Sequence, residues 1–494
     1  MTEKKYMIND EELIYGLMTA EFSGTELPDG FFDRPYGGVI LFAKNIGSPK
    51  QLKCLIADIK ERAGRDILIS VDQEGGSVTR VNFPDMTPLS GNMAIGMSGS
   101  ERLAFLNGVI CGSEIRDFGF NVDFAPCADI NSNPDNPIIG VRSFGEDPDK
   151  VSCMTASFLK GLKAGGIIPC AKHFPGHGDT SFDSHLTMPV SHKTYGELEE
   201  CELIPFVSAI RAGVPMIMTS HISFPSVDPS GLPATLSKDI LTGILRNRLG
   251  FDGVIITDSM AMDGVRKKFG YGRACALALK AGADMLIACG SEDHRKEAFD
   301  EIKKAVDCGE IDRDALVRSF ARIKSMLASV PEGIRAENPL AISEETARRA
   351  IEIRKNINGL FGRKFEKTLI ICPEKFKLSP HSAPTENPYF ADYMPYADKE
   401  FFDIDTGRRD AKAIFRKAEA ADRIILIISL NGRLQGPQKD IADSLKPYAE
   451  KTAVISSHSP YIEKDLKWAA AYMNSFCGGR LSMKAAASAS DGIL

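Results

Sequence analysis

Short apolar runs separated by longer amphipathic stretches recur through the first 290 or so residues, and this rhythm limits the fold more than any other feature of the chain. The clear runs occupy residues 38–42, 67–71, 122–125, 167–172, 216–220, 254–257 and 285–288, with a weaker one near 15–20. They are rich in apolar and β-branched residues and do not alternate with polar ones, as expected of strands covered on both faces. Between them, residues 49–62, 101–118 and 150–164 read as helices. Eight strands with helical crossovers suit a closed (β/α)8 barrel, and the same local pattern suits an open, doubly wound sheet.

The residues that end the runs separate these alternatives. Asp72 and Glu74 follow the run ending at Val71, Lys172 and His173 close another, Ser220 and His221 follow residues 216–219 at the end of a third, and Asp258 follows a fourth. A barrel gathers every strand C-terminus at one mouth, whereas an open sheet offers a single crevice. Four polar strand ends therefore favour an α/β chain with a TIM-type barrel.

Beyond residue 329 the texture changes. Residues 331–363 read as a polar linker with a connecting helix over 344–356, and 368–372, 423–430 and 452–456 read as strands around an irregular loop at 378–396. The expected division is a catalytic barrel over 1–330, a linker and helix over 331–363, and a small α/β sandwich domain over 364–494, whose tail from 485 frays. The net charge of −6 argues against a general nucleic-acid binder. No apolar run approaches the ~20 residues of a membrane span, and the N-terminus lacks a signal-peptide core. Eleven cysteines without a Cys-x-x-Cys pair fit free thiols in a reducing cytoplasm.

The richest chemistry lies in Lys172-His173-Phe174-Pro175-Gly176-His177-Gly178-Asp179-Thr180-Ser181-Phe182-Asp183-Ser184-His185. Asp183, two residues before His185, could orient its ring and raise its basicity, or cap a turn. His173 and His177 stand four apart like metal ligands, but Pro175 and Gly176 break the helix such a pair requires, so neither metal nor cofactor is expected. Asp258 suits a nucleophile, a base or a metal ligand, and equally a helix N-cap. Asp72, Arg80, Arg142 and Lys172 could face one hydroxyl-rich ligand or be solvated surface charges. Gly75-Gly76 could imitate a phosphate loop, but a nucleotide fingerprint is absent.

Together these segments resemble glycoside hydrolase family 3, and within it the bacterial β-N-acetylglucosaminidases that use an Asp–His dyad. The resemblance runs over about residues 12–286. It implies a (β/α)8 barrel with Asp258 as nucleophile and His185 as acid/base partnered by Asp183. It also implies that Asp72, Arg80, Arg142, Lys172 and His173 grip a terminal N-acetylglucosamine, with His221 and Met260 lining the pocket. The activity it implies is retaining exo-hydrolysis of β-N-acetylglucosaminides such as muropeptides in cell-wall recycling, with a carbohydrate partner and neither nucleic acid nor membrane. Phosphorolysis at the same site, a non-catalytic sugar-binding protein and a metal-dependent barrel hydrolase are the rival readings. The chain departs from the family pattern in a shorter C-terminal region with weak motifs.

Overall fold

The computed structural model describes residues 8–180, 188–330, 332–376, 385–386, 389–430 and 432–493. Eight parallel strands close into a barrel: β1 (Met18–Ala20), β2 (Gly38–Ile40), β3 (Leu68–Val71), β4 (Val122–Asp123), β5 (Ile168–Phe174), β6 (Met216–Thr219), β7 (Val254–Ser259) and β8 (Met285–Ala288). Each pairs with its neighbours in chain order, and β8 pairs back with β1. Every anticipated run is one of these strands. Helices fill the crossovers. α1 (Pro49–Ala63) starts where the Ser48 side chain accepts the Gln51 N–H and Pro49 fills the first turn, and it stops at Gly64 in the left-handed region. It buries Leu52, Leu55, Ile56 and Ile59 along one face against the barrel.

Two local devices shape the barrel mouth. After β3, the chain forms an antiparallel hairpin, Gln73–Gly75 with Val78–Thr79. Gly75 and Gly76 have φ of +85° and +57°, and a Cβ on Gly76 would lie 2.9 Å from the Gly91 Cα. The glycine pair is thus a tight turn against another backbone, not a phosphate cradle. In β5, the register against β6 shifts by one residue between Ala171 and Phe174. Such a bulge re-aims side chains at a barrel rim. Here it falls on Lys172 and His173.

The remaining chain builds a six-stranded sheet from β9 (Glu352–Asn356), β10 (Thr368–Pro373), β11 (Asp398–Phe402), β12 (Arg423–Ile428), β13 (Thr452–Ser456) and β14 (Ala471–Asn474). The order is β9-β14-β13-β12-β10-β11, and only β9 runs antiparallel to its neighbour. Apolar clusters cover both faces.

Three expectations need correction. The helix expected over 344–356 is a helix at Pro339–Ala350 followed by β9. Over Glu352–Asn356 the chain has left the helix and pairs antiparallel with β14 at the end of the sheet. The tail does not fray from 485: Arg480–Asp491 is a helix that buries Ala486, Ala487 and Ala489, and Asp491 binds the buried guanidinium of Arg423 at 2.9 Å. The loop expected over 378–396 falls partly outside the described residues, and its described part holds a short helix at Tyr389–Asp392.

The sheet unit touches the barrel close to the mouth. Phe476 and Ala350 share an apolar cluster with Met93, Ala94 and Val141. Arg433 pairs with Asp135 at 2.9 Å, and Asn131 donates to the Tyr461 hydroxyl at 2.6 Å. All eleven cysteines are free thiols. Among the described residues no helix is long and apolar enough to cross a membrane.

Candidate active site

A cavity of about 640 Å³ opens at the C-terminal ends of the barrel strands. Asp72, Glu74, Arg80, Arg142, Lys172, His173, His177 and Asp258 line it, with Phe42, Phe124, Ile138 and Met218 as apolar walls. Four different strand ends, those of β3, β4, β5 and β7, supply these polar groups, as the closed topology allows.

Its polar wall is a connected ion cluster. The Arg142 guanidinium clasps Glu74 with two bonds, Nε at 2.9 Å and a terminal nitrogen at 2.8 Å. Lys172 Nζ lies 2.7 Å from both Glu74 and Asp72. Burial alone would push Glu74 up, but Arg142 and Lys172 outweigh it and hold the acid well below the usual carboxylate range. Burial likewise opposes the charge on Lys172, and Asp72 with Glu74 overcomes it, so the amine stays protonated above the ordinary lysine value. Arg80 is set by Gln73, whose side-chain oxygen accepts the backbone N–H groups of Arg80 and Val81 at 2.9 and 3.0 Å. The Arg80 Nε has no hydrogen-bond partner among the described residues. A buried orphan donor on a cavity-lining side chain suits a ligand hydroxyl.

The imidazoles sit beside this cluster. His173 Nδ1 lies 2.7 Å from Asp129, a fully buried carboxylate that also accepts the backbone N–H of His177 at 2.7 Å. Burial pushes Asp129 up, but the His173 ring outweighs it and the acid falls to about 2. His177 is driven down to about 4, first by burial and then by His173, so it is neutral at neutral pH. Cys127, Asp129 and His173 bring three potential metal-binding atoms within 4.8 Å of one another. Two of the three pairs are hydrogen-bonded: His173 Nδ1 with Asp129 at 2.7 Å, and the Cys127 thiol donating to Asp129 at 3.2 Å.

Asp258 lies inside β7 near its end, and its carboxylate accepts the Ser259 N–H at 2.6 Å. It is no helix cap: the next helix begins at Asp263 after Met262. The structure thus brings Asp72, Arg80, Arg142, Lys172, His173 and Asp258 to one cavity. His221 and Met260 stand elsewhere. His221 is buried, held by the Thr235 hydroxyl at 2.9 Å and the Ser259 carbonyl at 3.0 Å, and Met260 is fully buried in the barrel core. Neither lines the cavity; His221 braces the strand end that carries Asp258. Asp183 and His185 lie outside the described residues.

Glu74 and Asp129 were missed as site residues. Glu74 had a signal: it stands two residues from Asp72 in a β-hairpin arm. Asp129 had a weaker one, a carboxylate in the otherwise apolar stretch Phe124-Ala125-Pro126-Cys127-Ala128 and onward to Ile130. A charge in such a stretch needs a partner.

Residues 24–326 match the glycosyl hydrolase family 3 N terminal domain. The chain is 34% identical over 335 residues to beta-hexosaminidase A of Pseudoalteromonas piscicida, covering 63% of this chain and 56% of that protein. It is 35% identical over 301 residues to a beta-hexosaminidase of Thiobacillus denitrificans, covering 59% of this chain and 82% of that one. It thus spans little more than half of the first relative and most of the second. Among solved structures, a glycoside hydrolase family 3 beta-N-acetylglucosaminidase from Paenibacillus sp. str. FPU-7 superposes with a TM-score of 0.89 at 28% identity, over 99% of this chain and 97% of that one. NagZ from Neisseria gonorrhoeae, in complex with N-trifluoroacetyl-D-glucosamine, superposes with a TM-score of 0.58 at 30% identity, over 68% of this chain and 98% of that one.

Proposed function

Because this chain belongs to glycosyl hydrolase family 3, we propose that it is a retaining exo-β-N-acetylglucosaminidase that works by double displacement. The observation that carries the reading is one cavity lined both by Asp258 and by the interlocked Asp72, Glu74, Arg142 and Lys172. A dense set of fixed donors and acceptors suits a sugar's hydroxyls, and a carboxylate at the barrel mouth suits attack on its anomeric carbon. The names of the hexosaminidase relatives support N-acetylglucosamine as the sugar.

In the proposed first step, an Asp258 carboxylate oxygen bonds to the anomeric carbon while the glycosidic bond breaks. His185, as imidazolium, gives its proton to the departing oxygen. In the second step, water attacks the same carbon, neutral His185 takes a proton from it, and Asp258 leaves with its charge restored. Asp183 would hold the His185 ring through its second nitrogen. Asp72, Arg80, Arg142, Lys172 and His173 would hold the terminal sugar meanwhile. We infer a muropeptide or its disaccharide as the natural substrate and the cytoplasm as the place of work, a reading supported by eleven free thiols.

Phosphorolysis competes because a neutral imidazole, unlike a carboxylate base, does not repel phosphate. Product analysis on N-acetylglucosaminyl-anhydro-muramic acid, with and without phosphate, tests the proposal. Free N-acetylglucosamine is expected under both conditions. Sugar 1-phosphate as the main product would overturn hydrolysis. His185→Ala should cost about 100-fold or more in kcat/KM on substrates with poor leaving groups, and much less on an activated aryl glycoside. Equal losses on both would remove His185 from the acid role.

A further inference from the structure

Asp129 does not line the cavity, yet it holds a residue that does. It is wholly buried, and all but one of its carboxylate's hydrogen bonds run to His173 and His177, at the strand end that enters the cavity. One oxygen accepts the backbone N–H of His177 at 2.7 Å; the backbone N–H of His173 sits 3.2 Å from both oxygens. The other oxygen faces His173 Nδ1 at 2.7 Å and the Cys127 thiol at 3.2 Å. With its pKa at about 2, Asp129 is a carboxylate that can only accept. The nitrogen facing it must therefore carry a proton, and Nε2 is the ring nitrogen left for the cavity.

We propose that Asp129 is a positioning residue: it keeps a proton on His173 Nδ1, so that Nε2 serves the cavity with a fixed hydrogen-bonding sense toward the bound sugar. The consequence for turnover rests on the function proposed above; the state of the ring does not. A purely structural Asp129 would serve only to bind the two backbone N–H groups.

Asp129→Asn separates these roles. The amide oxygen can keep the backbone N–H groups of His173 and His177, so the fold is retained. Its NH2 then faces Nδ1, which must accept, and in the neutral ring the proton moves to Nε2. In its neutral form the ring then offers a donor where the wild-type neutral ring offers an acceptor.

The test is nitrogen-15 imidazole NMR on the full chain through a pH titration, with the His173 signal assigned by its loss in His173→Gln. Steady-state kinetics on an aryl N-acetylglucosaminide accompany it. On the neutral side of the titration the wild type should show the Nδ1–H form and Asp129→Asn the Nε2–H form, with KM raised about 10- to 100-fold and kcat changed less. Cys127→Ala, which removes the weaker contact to the same oxygen, should leave the wild-type form in place. An unchanged ring in Asp129→Asn, or an Nε2–H form in the wild type, overturns the proposal whatever the activity. A switched ring with unchanged KM overturns its bearing on sugar binding. Asp258→Asn retaining activity would instead overturn the functional reading and leave the ring assignment standing.

Discussion

Asp258→Asn should lower kcat on an aryl N-acetylglucosaminide by roughly three orders of magnitude or more while the folded structure persists. The substitution keeps the shape of the side chain and an oxygen able to accept the Ser259 N–H, the contact seen at 2.6 Å. It removes only the negative charge that would bond to the anomeric carbon. An amide is a poor nucleophile, so the chemical step should fail while binding of the terminal sugar survives. Circular dichroism and a ligand-binding titration would verify that the fold and the gripping cluster remain. A variant with near-normal turnover would remove Asp258 from the centre of the reaction.

The second large effect is expected at Glu74. This buried carboxylate joins Arg142 to Lys172, and Lys172 in turn holds Asp72. Glu74→Gln leaves the Arg142 guanidinium without its two-point carboxylate and Lys172 with Asp72 alone. Breaking one partner out of a buried ion cluster costs on the order of 3–5 kcal/mol. Urea unfolding should show a loss of this size at neutral pH, and activity should fall with it because Arg142 and Lys172, proposed above to hold the sugar, lose their anchor.

The pH dependence has a definite sign. The folded pKa of Glu74 lies below its ordinary 4.5, so its contribution is full above that value and shrinks as pH falls from there toward the folded pKa. The gap between wild type and Glu74→Gln should therefore narrow in acid. A gap that stays constant with pH, or that is absent at neutrality, would mean that the cluster is not what holds these side chains.

Much of this was readable from the chain because burial on both faces leaves its mark on a strand. All eight barrel strands are short apolar runs, and Asp72, Lys172 and Asp258 betray themselves as charges just where such runs end. The unreadable parts share a different cause. β9 and β11 are edge strands, partly exposed and carrying Lys and Glu, so neither shows the apolar signature. β14 is buried but reads Ala-Tyr-Met-Asn, with little β-branched character. The final helix looks like a loose alanine-serine tail until the sheet supplies a surface for its small residues and Arg423 supplies a partner for Asp491. Asp129 was illegible as a functional group because its work is done through another side chain. His221 illustrates the converse: an imidazole at a strand end whose two nitrogens are committed to neighbours.

The cavity wall carries, among the described residues, the acids Glu21, Asp72, Glu74, Asp258 and Asp263 against the bases Lys44, Arg80, Arg142 and Lys172. Opposite charges so nearly matched at short range leave little field reaching into bulk solvent. The uncharged hexosamine end proposed as substrate would thus arrive by ordinary diffusion rather than by long-range attraction, and counter-ions would have little to compete for. Discrimination is left to the fit of each hydroxyl against a fixed partner.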